Sequence, residues 1–327
     1  MKVLKLHYMN KIFTYPLALL VSIAFTHNVN AQHTNFNTQR NWSLNKKEIM
    51  FGIGATQFLG DLGGKDRIGK DYSLADLDFP STNMGGMLGF RYRFHPYFAT
   101  TTTLTMGMLK GNDAQTNEII RNSRNLHFRS FFVELAQRLD IILWANEKFG
   151  ARYKIKGLKS MRDKNDQFYI FGGIAATYFN PKAMYQGKWT ALRPLKTEGQ
   201  GLSGGAKPYG PVTFAIPMGV GIRFGLNRMW RMGVEASYVK TFTDYVDDVG
   251  TTYYDPAVLA SEVGTASAYL SNPSVENSTW FAPGQQRGDK QKDAYFYINV
   301  VVTRNITYKD YAGQRNKHTW RGGRYKF

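Results

Sequence analysis

No cysteine occurs among the 327 residues. That excludes disulfides, thiolate metal sites and a lipid-modified cysteine anchor. Histidine is scarce as well: of six, only His33, His95, His127 and His318 lie beyond residue 31, which leaves few groups for acid–base chemistry near neutral pH. Long apolar runs are missing. The one stretch of that kind, Ile12 to Phe25, is too short for a membrane-spanning helix, which needs about 20 residues. It follows Lys2, Lys5 and Lys11 and precedes Val29, Asn30 and Ala31, the layout of a leader cleaved before Gln32. Met1 and Met9 both stand open as the start. Acidic residues are the last shortage, 24 Asp and Glu against 42 Lys and Arg, for a net charge of +18. Removal of the 31 leader residues with their three lysines leaves 296 residues at +15.

What is present is a period of two. From Phe214 the even positions are Phe214, Ile216, Met218, Val220, Ile222 and Phe224, and between them stand Ala215, Pro217, Gly219, Gly221 and Arg223. Trp230, Met232, Val234, Ala236, Tyr238 and Phe242 alternate in the same way with Arg231, Gly233, Glu235, Ser237 and Thr241. From Ala294 to Tyr308, Phe296, Ile298, Val300, Val302 and Ile306 oppose Tyr295, Tyr297, Asn299, Thr303 and Asn305. Successive side chains of a strand point to opposite faces, so each segment has one greasy row and one small or polar row. A mean hydropathy of -0.39 is therefore no argument for a soluble protein, since half of every barrel strand is polar.

Five further segments fit this pattern: Glu48 to Phe58, Met84 to Phe94, Phe98 to Leu109, Leu126 to Leu143 and Phe168 to Phe179. The connections alternate. His95 to Tyr97 and Gly225 to Met229 are short and rich in turn formers, whereas Leu59 to Asn83, Lys110 to Asn125, Asn180 to Val212 and Thr243 to Asp293 are long. Short turns on the side of both termini and long loops on the other describe an eight-stranded antiparallel transmembrane β-barrel of the outer-membrane type. Trp144 to Gln167 departs from this pattern, being long and basic where a short turn is expected. The domain reading is a signal peptide at 1–31, an N-terminal periplasmic segment at 32–47, the barrel at 48–308 and a basic periplasmic tail at 309–327. Neither a repeat nor a linker separates a second domain.

The excess charge is concentrated. Glu147 to Asp166 holds Lys148, Arg152, Lys154, Lys156, Lys159, Arg162 and Lys164 against three acids, and the stretch from Tyr311 to Phe327 adds Arg315, Lys317, Arg321, Arg324 and Lys326 against none. Both segments fall on the periplasmic side. Basic patches attract phosphate, anionic lipid, nucleic acid or acidic protein. Nucleic acid is a poor periplasmic partner, and regular aromatic interleaving for base stacking is absent. A solvated turn with a frayed tail is one reading and docking on an acidic periplasmic partner the other. Tyr311, Trp320 and Tyr325 favour docking, because solvating tails are poor in aromatics.

By parity the inward face carries Glu48, Arg91, Arg93, Glu134, Arg138, Asp140, Arg223, Arg231 and Glu235. Both signs are present, which implies an interlocked network, and eight strands leave room only for side chains. A diffusion pore is rejected on that ground. His127 and Ser130 resemble the pair of small lipid A deacylase barrels, but a spacing of three puts them on opposite faces of a strand. Asp244, Asp247 and Asp248 are either a calcium-binding or a solvated acidic turn, and their spacing matches no defined calcium loop. The glycine-rich pieces Gly60 to Gly64 and Gly199 to Gly205 lack the lysine and following helix of a phosphate loop.

Six pieces occur in order: GIGATQFLGDLGG (Gly52 to Gly64), GFRYRFHPYFA (Gly89 to Ala99), RNLHFRS (Arg124 to Ser130), FGGIAATYFNPKA (Phe171 to Ala183), LRPLKTEGQG (Leu192 to Gly201) and TFTDYVDDVGTTYYD (Thr241 to Asp255). Together they resemble PorG, the small outer-membrane barrel family of the type IX secretion system of Bacteroidetes, linked to gliding motility in some members. The resemblance implies a non-enzymatic, cofactor-free component that contacts the periplasmic ring of the lipoprotein PorK (GldK-like) and its partner PorN (GldN-like). The barrel would be monomeric and surrounded by outer-membrane lipid. An OmpA-like structural barrel and an outer-membrane lipid-modifying enzyme remain the alternatives. The basic tail and the long Thr243 to Asp293 loop depart from the simplest family pattern.

Overall fold

The structure is a computed structural model that describes residues 42, 45–62, 81–115, 119–148, 164–227, 229–274, 279–288 and 291–306. Its strands are β1 (Lys47–Leu59), β2 (Asn83–Arg93), β3 (Phe98–Asn112), β4 (His127–Lys148), β5 (Lys164–Tyr185), β6 (Lys188–Ala191), β7 (Val212–Gly225), β8 (Trp230–Thr241) and β9 (Ala294–Asn305). Every neighbour in the sheet is antiparallel, and pairing of β1 with β9 and of β4 with β5 closes eight strands into a meander barrel, with β6 added along the end of β5. Closure leaves the eight barrel strands without an open edge, the condition under which strands can cross a bilayer. Among the described residues no helix is long and apolar enough to do so.

The period-two reading holds strand by strand. Phe214, Ile216, Met218, Val220, Ile222 and Phe224 all face outward and are exposed, as are Met232, Val234, Ile298 and Val300. Their odd neighbours face the lumen, and several are glycine because larger side chains from opposite strands fill the space. The Tyr169 ring lies where a Cβ on Gly221 would stand, and Arg223 Cγ lies 2.7 Å from a Cβ placed on Gly233.

Two turns close as their sequences foretell. His95 and Phe98 exchange backbone hydrogen bonds across Pro96 and Tyr97. Asn227 Oδ1 accepts from the backbone N–H groups of Met229 and Trp230 at 2.8 and 2.9 Å, an Asx turn.

The expected Trp144 to Gln167 connection is wrong at both of its ends, and its middle, 149–163, lies outside the described residues. β4 continues to Lys148 and β5 begins at Lys164, and each strand runs 22 residues. A bulge hides the extension from the parity rule: the register with β5 shifts between Ile142 and Trp144. Leu143 and Trp144 are then both outward, 55% and 45% exposed, and the inward parity passes from Ile142 to Ala145 and Glu147. A bulge inserts one unpaired residue and reverses which face the following residues take. The loop expected at Asn180 to Val212 likewise begins as strand. β5 and β6 form a hairpin through Gln186 and Gly187, both at positive φ (47° and 77°), as a two-residue primed turn demands.

Candidate functional site

The lumen is filled in layers, beginning at the end that carries the termini. Glu147 Oε1 accepts from Arg93 Nη1 at 2.6 Å and Gln167 Nε2 at 2.9 Å, with Arg231 at 3.5 Å. Asn45, ahead of β1, is buried beneath this layer and bonded to Asn165 and Asn305. Above it Glu48 meets Arg231 at 2.9 Å, Arg223 at 3.2 Å and Arg91 at 3.5 Å. Asp140 follows, 2.9 Å from Arg91 Nε and accepting from Thr101 Oγ1 at 2.7 Å. Glu235 accepts twice from Arg138 Nη2, at 2.9 and 2.7 Å, and once from the Tyr169 hydroxyl. The guanidiniums of Arg223 and Arg138 also lie over the rings of Tyr169 and Phe171, at 4.4 and 4.0 Å.

Toward the loop end the filling turns aromatic. Glu134 accepts hydrogen bonds from the hydroxyls of Tyr295 and Tyr297, and beyond it Phe132, Phe128, Phe58 and Phe179 belong to the buried apolar core. All nine inward charges expected from parity are buried. Parity missed Glu147, which was read as part of the basic insert. With it, five arginines face five carboxylates within the barrel. An eight-stranded lumen so occupied has no room for a water-filled path.

Over the loop end lies a folded cap that includes helices α1 (Ile119–Arg124), α2 (Pro256–Glu262) and α3 (Thr265–Ser271). Arg124 forks onto Asp113, Nε to Oδ2 at 2.7 Å and Nη2 to Oδ1 at 3.0 Å, and also donates to the backbone carbonyls of Asp61 and Arg287. Arg287 in turn pairs with Glu198 at 3.0 Å and donates to the carbonyl of Asp248. Burial opposes both guanidinium charges more than any one neighbour favours them, yet the neighbours together prevail, Asp113 foremost at Arg124 and Glu198 with Asp248 at Arg287, so both stay above the usual arginine range.

The acidic turn is not solvated as one of its readings held: Asp244, Asp247 and Asp248 are all buried. Asp248, at φ 68°, accepts from Thr197 Oγ1 at 2.5 Å and from the Tyr209 hydroxyl. Burial pushes its carboxyl up to about 6 against the pull of Arg287. Asp247 and Asp293 stand well above the carboxylate range, through burial and then repulsion from neighbouring carboxylates, Asp61 and Asp244 among them. Among the described residues no group of three His, Cys, Asp or Glu is placed to hold a metal ion.

His127 and Ser130 are not brought together. His127 Nε2 accepts from the backbone of Met184 at 2.9 Å, while Ser130 faces inward and accepts from the backbone of Asn180. Of the basic insert, Lys148 and Lys164 pair across the ends of β4 and β5, and Lys164 is exposed. Arg152, Lys154, Lys156, Lys159 and Arg162 lie outside the described residues, as do the signal peptide, Tyr308 and the tail with Arg315, Lys317, Arg321, Arg324 and Lys326.

No protein-family model and no curated protein matches the sequence. Among solved structures the chain is similar to Neisserial surface protein A, with 5% identity across 80% of this chain and 97% of that one at a TM-score of 0.34. It is similar also to Ail, the attachment invasion locus protein of Yersinia pestis, at 8% identity, 79% and 96% coverage and a TM-score of 0.34. For the outer membrane protein OprG of Pseudomonas aeruginosa the values are 11%, 79%, 92% and 0.29. These likenesses concern the fold alone.

Proposed function

We propose that this barrel is a non-catalytic anchor in the outer membrane, with both termini in the periplasm, and that it serves the type IX protein secretion machinery. The observation that carries the anchoring part is the filled lumen. Its arginines and carboxylates pair with one another, which supports a side-chain plug in preference to a solute path, and on this reading the work falls to the surfaces at either end. The assignment to secretion rests on the six ordered sequence pieces that resemble PorG. On that reading the basic segment between β4 and β5 and the basic tail dock on an acidic face of a periplasmic ring of the PorK and PorN kind. A filled lumen equally suits an OmpA-like structural barrel with another role, and that is the second reading.

The experiment is affinity purification from gently solubilised membranes with the co-purifying proteins identified, for the native chain and for one with Lys154, Lys156, Lys159, Arg321 and Arg324 all exchanged for Glu. Like charges would then meet across the contact, and long-range attraction would turn to repulsion. The native chain is expected to bring down ring subunits and the five-site variant to lose them while its barrel still folds. Undiminished ring capture by the variant would remove the docking role. Absence of ring subunits from the native sample would leave the structural-barrel reading.

A further inference from the structure

The outward face of the barrel carries one charged row that the filled lumen does not explain. In register, Lys110 of β3 stands opposite Arg129 of β4, and Arg129 opposite Lys182 of β5. All three belong to the outward parity. Strand neighbours lie about 4.8 Å apart, so three cations occupy a row about 10 Å wide, an arrangement that repels itself unless an anion lies against it. Among the described residues none of the three forms an ion pair with a carboxylate. Arg129 instead lies 3.8 Å beneath the ring of Trp189, contributed by β6.

The height of the row identifies what it faces. Below it on the same face come Met108 and Phe131, then Met106, Val133 and Tyr178, down to the row of Phe98, Ile141 and Ile170. From Ile141 to Arg129 is 12 residues. At a rise of about 3.4 Å and a tilt of about 40° that is roughly 30 Å along the bilayer normal, the thickness of a hydrocarbon core. The cations therefore stand at headgroup level at the loop end, directly above a lipid-facing column. The three-cation row is confined to this side: toward the loop end the outward residues of the neighbouring β7 are Val212 and Phe214, and beyond it stand Phe242, Phe296 and a single cation, Lys240, which donates to the backbone carbonyl of Lys292.

We infer that Lys110, Arg129 and Lys182, with Trp189 beside them, form a binding site for the phosphates of a phosphorylated glycolipid in the outer leaflet. A lysine supplies a point charge and an arginine a planar fork to phosphate oxygens. The 10 Å span suits a disaccharide headgroup carrying more than one phosphate better than a single phosphodiester, and Trp189 offers an amphipathic ring at the depth where such rings collect. The inference rests on the orientation proposed above. A wrong orientation would turn the row toward the other leaflet, whereas a wrong secretion partner would leave lipid binding untouched.

The test titrates the purified full chain in neutral detergent with bisphosphorylated lipid A, with dephosphorylated lipid A and with phosphatidylglycerol, reading bound lipid by native mass spectrometry. Saturable binding of the bisphosphorylated lipid is expected, with the other two at least about tenfold weaker, in keeping with charge-assisted hydrogen bonds to phosphate. Lys110→Gln, Arg129→Gln and Lys182→Gln together should remove the preference and leave heat-modifiable mobility intact. Lys182→Glu alone should abolish binding while raising the unfolding temperature, since it places a carboxylate beside Arg129; a purely structural row would gain the stability without the binding loss. Equal lipid A binding by native and triple variants, or equal binding of phosphatidylglycerol, would overturn the site.

Discussion

The wall built by β4 and β5 differs from the wall built by β2, β8 and β9. The first two strands run 22 residues each, the others 11, 12 and 12. A tilted transmembrane strand needs about 9 to 11 residues, so the short wall is little more than a membrane crossing. The tall wall reaches past the bilayer at both ends. At the terminal end its extension brings Glu147, Asn165 and Gln167 under the barrel, and at the loop end it holds β6, Trp189 and the basic row. One half of the molecule is thus dictated by the bilayer alone, and the other by what lies on either side of it.

The sharpest way to break that comparison is at Glu147. Its removal in Glu147→Ala leaves Arg93 and Arg231 buried with too little counter-charge, and breaking a buried pair from one side destabilises by about 3 to 5 kcal/mol. The folded band in heat-modifiable electrophoresis should melt many degrees lower, whereas Lys164→Ala, exposed at the end of the same wall, should shift stability by no more than about 0.5 kcal/mol. If both changes behaved alike, the extension would be decoration.

The next largest effect belongs to the short wall. Val300→Arg or Val234→Arg puts a charge against lipid and should impair insertion by about 2 to 4 kcal/mol near the midplane. Ser237→Ala, on the inward face of β8, should be much milder. Equal tolerance on both faces, measured as membrane yield, would invert the assignment of inside and outside.

A smaller effect is expected in the cap. The carboxyl of Asp248 titrates at about 6 in the fold and near 3.9 when unfolded. A raised pKa means the folded cap holds the proton more tightly. Its stabilising contribution is complete below about pH 4 and is lost as pH rises through 6. Hydrogen exchange at cap amides such as Val249 and Gly250, corrected for intrinsic rates, should show protection growing by on the order of 1 to 3 kcal/mol from pH 7.5 to 4.5. The Asp248→Asn variant should show a shallower change. The groups facing Asp248 are Arg287, Glu198, Thr197 and Tyr209, so a slope of opposite sign would mean that the arginine dominates over burial.

The sequence disclosed the two walls unequally. β7, β8 and β9 were legible because an unbroken period of two separates apolar from small and polar positions, and the inward charges followed from the same rule. The tall wall was hidden by one residue. After the bulge near Leu143 the parity reverses, so Glu147 read as part of a basic loop although its side chain closes the lumen. The β6 hairpin depends on positive φ at Gln186, a residue with no signal for it, and only Gly187 marks the turn. The cap could not be read at all: Asp113 and Arg124, or Glu198 and Arg287, meet through folding of separate loops, and nothing local distinguishes a buried aspartate in such a loop from a solvated one.

The central claim, that the barrel is an anchor closed by its own side chains, is met most directly by conductance across a planar bilayer holding the purified native chain. The account predicts no stable open level above the bare-membrane baseline over a range of voltages and salts. A sustained, ion-selective conductance from the folded barrel would contradict it, because the layers from Glu147 to Glu134 would then have to part to let ions through.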